Sequence, residues 1–140
     1  MSIQFASAVP QFPVADVVDT AKYYQNVLGF EIAGYWDGER VHHDEAAPAL
    51  FGIVRRDDVR LHFYRAERSI ARPRSIDDAY DVYFHVAGID ELAQELRDRG
   101  ADILDGPEDR VYGQRELVIR DCNGRVLAFG DNERQQGRAG

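Results

Sequence analysis

The sequence predicts an α+β fold built from two tandem units, each with the order strand, helix and three strands (βαβββ). The first observation is a hairpin pattern at 112–130, where two β-branched and apolar runs flank Asp121-Cys122-Asn123-Gly124. The second is a similar pattern at 51–63. Shifting the later hairpin back by 66 positions superimposes three apolar pairs: Leu127 on Leu61, Phe129 on Phe63 and Ile119 on Ile53. Such a long repeat indicates a duplicated unit whose two copies bury their apolar faces jointly.

The repeat extends upstream of both hairpins. Residues 12–19 correspond to 84–91 at an offset of 72, and residues 28–32 correspond to 99–103 at an offset of 71. The smaller offset at the hairpins indicates that the first unit has the longer loop after its helix.

The first unit is predicted to begin with a strand over 9–14. Asp16 or Asp19 can cap the helix that follows, and Gly29 stands where a helix commonly ends. A strand over 30–36, a polar loop over 37–48 and the first hairpin complete this unit.

The second unit has the same order. A strand is predicted over 80–86, a helix over 90–99 with Leu92 and Leu96 inward, and a strand over 101–104. A loop through Gly106-Pro107 then leads to the second hairpin. We therefore expect a single domain over 1–131, with unit one at about 8–65, a linker at 66–79, unit two at about 80–131 and a disordered tail at 132–140.

The charge and the apolar content of the sequence indicate which kinds of ligand and partner to expect. The net charge of −8 disfavours nucleic acid and favours neutral or cationic ligands. No stretch approaches the roughly 20 apolar residues of a membrane span, and the N-terminus lacks the basic region of a signal peptide. The single cysteine, Cys122, suits a reducing cytoplasm. We expect a cytoplasmic protein that binds neither nucleic acid nor membranes.

The motifs resemble those of the vicinal oxygen chelate superfamily, which includes glyoxalases, extradiol dioxygenases and bleomycin-resistance proteins. Its markers are Val14-Ala15-Asp16-Val17 before a helix, then Leu28-Gly29-Phe30, and above all the run from Tyr112 to Gly124. Bleomycin-resistance proteins show Trp-Gly-x-Arg-Glu-Phe and Arg-Asp-Pro-x-Gly at this last place, and this branch is the most similar. Tyr112 stands where the branch has Trp, and Cys122 where it has Pro. The resemblance implies a curved mixed sheet with a concave cup, helices on the outer face, and a homodimer whose clefts a partner chain completes.

The superfamily's enzymes bind a metal through side chains on the strands of both units, and the alternation of side chains along a strand indicates which residues could take these positions here. By register the four ligand positions fall on Val9, His62, Asp81 and Ala128, of which only His62 and Asp81 can bind a metal. Catalytic zinc usually needs three protein ligands. We therefore expect no metal and no cofactor, although His85 could in principle substitute. The run His42-His43-Asp44-Glu45 is interpreted as a solvated loop.

Ten residues are predicted to contact a small-molecule ligand in the cup. They are Tyr35, Trp36, Phe51, His62, Tyr64, Asp81, Tyr83, His85, Tyr112 and Glu116. Strict alternation places Phe51 with Ile53 on the helix side, whereas the resemblance places it in the cleft. Of Arg115 and Glu116, the register points Glu116 into the cup and leaves Arg115 for a structural ion pair.

The leading hypothesis is a metal-free binding protein that sequesters a cationic, partly planar drug of the bleomycin type without chemistry. Aromatic side chains suit this ligand because they stack on flat groups and attract cations. Two alternatives stay open. One is a metal-dependent enzyme of the glyoxalase or dioxygenase type that uses His62, Asp81 and His85, and the other is a binder of an unknown metabolite.

Overall fold

The structure is a computed structural model that describes residues 2–67 and 79–132. It confirms the α+β class and the two βαβββ units. The chain divides into two compact units, Met1–Ile70 and Ala71–Gly140. Residues 68–78 of the predicted linker and 133–140 of the predicted tail lie outside the described residues, so both assignments stay predictions.

Unit 1 contains one helix and a mixed sheet. Its elements are β1 (Gln11–Val14), α1 (Val17–Asn26), β2 (Glu31–Trp36), β3 (Val41–His42), β4 (Phe51–Arg56) and β5 (Val59–Arg65). The sheet order is β1-β5-β4-β2-β3, in which β1 runs parallel to β5 and the other pairs are antiparallel. The short strand β3 lies within the segment predicted as a polar loop.

The helix α1 covers one face of this sheet. Asp16 caps it, as predicted, because its Oδ1 accepts a hydrogen bond from the backbone N–H of Asp19 at 2.9 Å. On the buried side of the helix, the Tyr24 ring lies 4.9 Å from the Phe63 ring and 5.7 Å from the Phe30 ring. These large apolar groups form the centre of the unit 1 core.

Unit 2 repeats this arrangement with four strands. Its elements are β6 (Val82–His85), α2 (Ile89–Asp98), β7 (Asp102–Asp109), β8 (Arg115–Arg120) and β9 (Val126–Asp131), in the sheet order β6-β9-β8-β7. The strand β6 runs parallel to β9. The N-terminus of α2 is capped from outside the helix, because Oδ2 of Asp131 accepts from the N–H groups of Gly88 and Ile89 at 2.9 and 3.1 Å.

The strand β7 is longer than predicted. It continues from Asp102 to Asp109 through the cis peptide Gly106-Pro107, where a loop was expected. Register shifts on both sides of Asp105 accommodate the extra residues while β7 stays paired with β8. The prediction was wrong because Gly-Pro usually marks a turn, whereas here β7 is an edge strand that tolerates proline.

The two hairpins differ in length by one residue. In unit 1, Arg56 pairs with Val59 across two turn residues. In unit 2, Asp121 donates its N–H to the Arg125 carbonyl at 2.9 Å, which leaves three turn residues. Leu127 therefore corresponds to Leu61 at the predicted offset of 66, but on the preceding strand the offset is 65.

This difference corrects the predicted side of β4. Ile53 pairs with His62 and Val118 pairs with Ala128, so Ile53 corresponds to Val118 and not to Ile119. Phe51 and Ile53 lie on the face opposite α1, and strict alternation from the wrong offset had placed them on the helix side. We call the sheet face opposite the helix the helix-free face of each unit. Neither helix in the described residues is long and apolar enough to cross a membrane.

Candidate ligand-binding site

A row of three aromatic side chains crosses the helix-free face of unit 1. Trp36 on β2 pairs with Phe51 on β4, and Phe51 pairs with Tyr64 on β5. Cross-strand partners project from the same face of a sheet, so the three rings are neighbours. Trp36 and Tyr64 are 40% and 39% exposed, and Phe51 is half-buried. The row, Trp36, Phe51 and Tyr64, is a half-open apolar surface on a rigid sheet.

His62 lies beside this aromatic row. Its ring meets the Phe51 ring edge-on, with centroids 5.0 Å apart. Burial, and then the charge of Arg60, lowers the pKa of His62 below its ordinary value, so the imidazole is neutral at pH 7. Its Nδ1 is buried and has no hydrogen-bond partner within the described part of the chain. One buried polar atom without a hydrogen-bond partner among the described residues therefore lies beside the aromatic row.

Tyr35 lies on the other side of the same sheet. It is 2% exposed, and its ring packs near Gly52, which faces Val17 of α1. Burial raises the pKa of Tyr35, and the charges of Glu45 and Asp16 add to this effect. The structure therefore separates Tyr35 from the aromatic row, although both were predicted for one cup.

A cavity of about 510 Å³ opens on this helix side. Carboxylates and alanines dominate its lining, including Asp16, Asp19, Glu45 and Glu67. Asp16 already caps α1, and Glu45 pairs with Lys22 at 3.0 Å. None of the described residues that line the cavity is aromatic, so this lining does not suit a flat ligand.

In unit 2 the helix-free face holds a buried carboxylate. Glu116 on β8 is 1% exposed and accepts three hydrogen bonds. The Tyr83 hydroxyl donates to Oε2 at 2.8 Å, and the Tyr112 hydroxyl and Arg110 Nε donate to Oε1 at 2.6 and 3.1 Å. A buried carboxylate requires such compensation, because its desolvation is otherwise costly. Two of the predicted tyrosines therefore meet on the predicted glutamate.

Arg110 organises the loop that carries Tyr112. It binds Asp105 at 2.5 Å and Glu108 at 3.0 Å in addition to Glu116. The hydrogen bond to Asp105 raises the pKa of Arg110 further above its ordinary value, so the guanidinium stays charged. Backbone bonds from Arg110 N to Gln114 O at 2.7 Å and from Gly113 N to Arg110 O at 3.2 Å close the loop. Tyr112 at its tip is 61% exposed.

The remaining predicted residues have structural partners. Asp81 binds the N–H of Val126 through Oδ2 at 2.9 Å, which joins the start of β6 to β9. The exposed His85 ring lies 5.3 Å from the Tyr83 ring. Arg115 pairs with Asp90 at 2.9 Å and Asp109 at 3.3 Å, as predicted for a structural ion pair.

Two residues of the Glu116 network were missed from the sequence. Arg110 and Gln114 lie on an irregular loop, where alternation carries no signal about direction. The Oε1 atom of Gln114 is buried and has no hydrogen-bond partner among the described residues. Gly130 leaves space for both side chains, because a Cβ there would overlap the Tyr83 hydroxyl and lie 2.8 Å from Gln114 Oε1.

The Glu116 network predicts the ionisation of Tyr112. The hydrogen bond to Glu116 is the main cause that raises the pKa of Tyr112 to about 12. For Tyr83, burial is the main cause and Glu116 the second, and both raise its pKa. A raised phenol pKa stabilises the folded state below the unfolded value of about 10, and this contribution is lost as the pH rises towards 12.

Replacing Glu116 by Gln should therefore lower the pKa of Tyr112 from about 12 to near 10, because the neutral amide no longer opposes the phenolate. NMR of ring-labelled tyrosine against pH measures this, with Tyr112→Phe to assign the signal. The parent protein, titrated under the same conditions, is the control. A Tyr112 pKa that stays at about 12 in the Gln variant would contradict the assignment of cause.

Both units of the chain match a known protein family. The family described as the Glyoxalase/Bleomycin resistance protein/Dioxygenase superfamily matches residues 6–129. The chain belongs to this superfamily. The match spans both βαβββ units.

Bleomycin resistance proteins are among the relatives within the superfamily. That of Geobacillus stearothermophilus is 25% identical, and the match covers 87% of this chain and 93% of the relative. The bleomycin-binding protein of Streptomyces verticillus, solved with copper(II)-bleomycin, is 26% identical with a TM-score of 0.65, over 91% of this chain and 97% of that one. TioX from Micromonospora sp. ML1 has a TM-score of 0.69 at 16% identity, over 91% and 99% of the two chains, and shows the shared fold alone.

The metal site of the superfamily's enzymes does not fit the donors present. Ala128 stands between Tyr83 and Val118 in the unit 2 sheet, and Asp81 already binds backbone. Within 2–67 and 79–132, no three His, Cys, Asp or Glu side chains gather as a metal site would require. The loop histidines bind backbone carbonyls, His42 to Pro48 at 2.8 Å and His43 to Ala33 at 2.9 Å. The described side chains therefore do not form the metal site of the superfamily's enzymes.

Proposed function

We propose that this protein binds and sequesters a flat cationic drug of the bleomycin type, without a metal and without altering the drug. The aromatic row on unit 1 is the observation that carries the proposal. Its two outer rings, Trp36 and Tyr64, are 40% and 39% exposed, although aromatic side chains of this size usually bury more of their surface. The 25% identical bleomycin resistance proteins and the drug complex of the 26% identical relative support the choice of ligand.

Stacking and charge would act on different parts of such a ligand. The rings of Trp36, Phe51 and Tyr64 offer apolar area to a planar group, and their faces attract positive charge. The ligand would also supply a hydrogen-bond partner to Nδ1 of His62, which is buried without one among the described residues. The net charge of −8 raises the local concentration of a cation and speeds its association at low salt.

Sequestration needs no catalytic group. The side chains around the row can stack, accept hydrogen bonds and exclude water, and the buried Glu116 is already held by three donors. Binding alone lowers the concentration of free drug, which is sufficient for protection if the protein is abundant. A cytoplasmic location is part of the proposal.

A thermal shift measurement tests the proposal. A ligand that binds only the folded state at 100-fold excess over its dissociation constant stabilises it by about 2.7 kcal/mol. For a chain of this length we expect the Tm to rise by about 9 °C with bleomycin. The rise should be the same with EDTA present, because no metal takes part. An unchanged Tm would contradict drug binding, and a rise abolished by EDTA would favour the metal-dependent alternative.

We further propose that two copies of the chain form a homodimer. In the N-terminal segment before β1, Ile3 and Phe5 are 91% and 96% exposed. Burial of each such side chain contributes about 1.5–3 kcal/mol, so leaving both in water is unfavourable. In the expected two-fold symmetric dimer, a second copy of the chain would cover these two side chains.

Light scattering after gel filtration should give twice 15.9 kDa for the parent at micromolar concentration. The double variant Ile3→Ser, Phe5→Ser should give a monomer, because a symmetric dimer loses four buried side chains. Gln4→Ser in the same segment is the matched control and should stay dimeric. A monomeric parent would refute the dimer, and a dimeric double variant would refute this interface.

A further inference from the structure

The buried carboxylate of Glu116 is covered by an exposed side chain. Glu116 is 1% exposed, whereas Tyr112, whose hydroxyl donates to Oε1 at 2.6 Å, is 61% exposed. Tyr112 lies on the short loop between β7 and β8, next to Gly113 with a φ of +92°. Rotation of this exposed ring would remove one of the two donors on Oε1, while Arg110 Nε and the Tyr83 hydroxyl keep Glu116 in place.

A second acceptor lies next to this carboxylate. Oε1 of Gln114 is buried without a hydrogen-bond partner among the described residues. A Cβ added at Gly130 would lie close both to this atom and to the Tyr83 hydroxyl, which donates to Glu116 Oε2 at 2.8 Å. An unsatisfied buried acceptor is costly, so a group with several N–H donors would gain from binding here.

The charge around the network favours a cation. The single guanidinium of Arg110 faces the three carboxylates of Asp105, Glu108 and Glu116. This excess of negative charge disfavours an anionic ligand and attracts a positive one.

We propose that Tyr112 is a latch over a subsite for a primary ammonium group, which replaces the phenol on Glu116 and donates a second hydrogen bond to Gln114. This inference rests on the proposed function, because a cationic drug carries the positive charge that the subsite would bind. The ammonium has three N–H donors and forms charge-assisted bonds, which are stronger than the bond from a neutral phenol. A neutral flat molecule would have to break the Tyr112–Glu116 bond without replacing it. Tyr112 thereby selects cationic ligands over neutral ones of the same shape.

NMR of ring-labelled tyrosine tests the latch with two probes, bleomycin and n-butylamine, on the full chain. Both probes should move the Tyr112 signal towards that of a phenol in water. Tyr112→Phe keeps the ring but removes the competing hydroxyl, so n-butylamine should bind it about fivefold more tightly than the parent. Gln114→Leu should bind n-butylamine about fivefold more weakly. Tyr23→Phe on α1 is the control and should match the parent.

The outcomes separate this inference from the proposed function. If bleomycin binds while the Tyr112 signal stays and Tyr112→Phe has the parent's affinity for n-butylamine, the latch is overturned and sequestration stands. If n-butylamine displaces Tyr112 but bleomycin does not bind, the latch stands and the drug proposal falls. If neither probe binds, both are overturned.

Discussion

The double variant Trp36→Ala, Phe51→Ala is expected to bind bleomycin at least 100-fold more weakly than the parent. Removing a well-packed aromatic ring from a binding site typically costs on the order of 2 kcal/mol, which is about 30-fold in affinity. The two residues are cross-strand partners on the aromatic row, so a flat ligand that lies across the row contacts both. Isothermal calorimetry measures the loss.

Val41→Ala is the matched control for this experiment. Val41 is 64% exposed and pairs with Trp36 from the edge strand β3, so it shares the neighbourhood without offering an aromatic ring. Its affinity should stay within about twofold of the parent. A double variant with nearly the parent's affinity would show that the drug binds elsewhere, even if the parent binds tightly.

Gly106→Ala should lower the free energy of unfolding by about 3 kcal/mol or more. Gly106 has a φ of +88°, where a side chain is strained, and a Cβ there would overlap the backbone carbonyl oxygen of Glu116. Backbone on a paired strand cannot move aside as a flexible side chain can. The substitution should therefore separate β7 from β8 at the residue that holds the buried carboxylate.

Gly100→Ala separates the two causes. Gly100 has a similar φ of +85°, but a Cβ there would have no atom of the described residues within 4 Å. We expect a loss of about 1 kcal/mol from backbone strain alone. Chemical denaturation of both variants gives the comparison. Equal losses would mean that the contact with Glu116 contributes nothing.

The fold was largely predictable because its signals are local or repeated. The Asn123-Gly124 turn, the Asp16 cap and the apolar periodicity each act within a few residues. The one error of register shows the limit. The additional turn residue in the second hairpin shifts the correspondence between the two units by one residue on the preceding strand. Because successive side chains of a strand alternate, Phe51 therefore lies on the face opposite to the one that the repeat predicted.

The candidate site was less predictable because its residues lie far apart in the sequence and some of them lie on an irregular loop. Tyr83 and Glu116 were both predicted for the cup, yet nothing in the sequence indicates that the hydroxyl donates to the carboxylate across two strands. Arg110 and Gln114 belong to a loop whose direction depends on the extended strand β7. Tyr35 and Trp36 were both predicted for the cup, although neighbouring residues of a strand point to opposite faces, and the bulge after Ile32 decides which of the two faces α1.

Calorimetric titration of the parent protein with bleomycin, with EDTA present and with analysis of the recovered drug, tests the central claim most directly. We predict saturable binding of one drug per chain with a dissociation constant of about 1 μM or tighter, which corresponds to about −8 kcal/mol. The recovered drug should be chemically unchanged. The absence of binding heat together with an unchanged Tm, or recovery of a modified drug, would contradict sequestration.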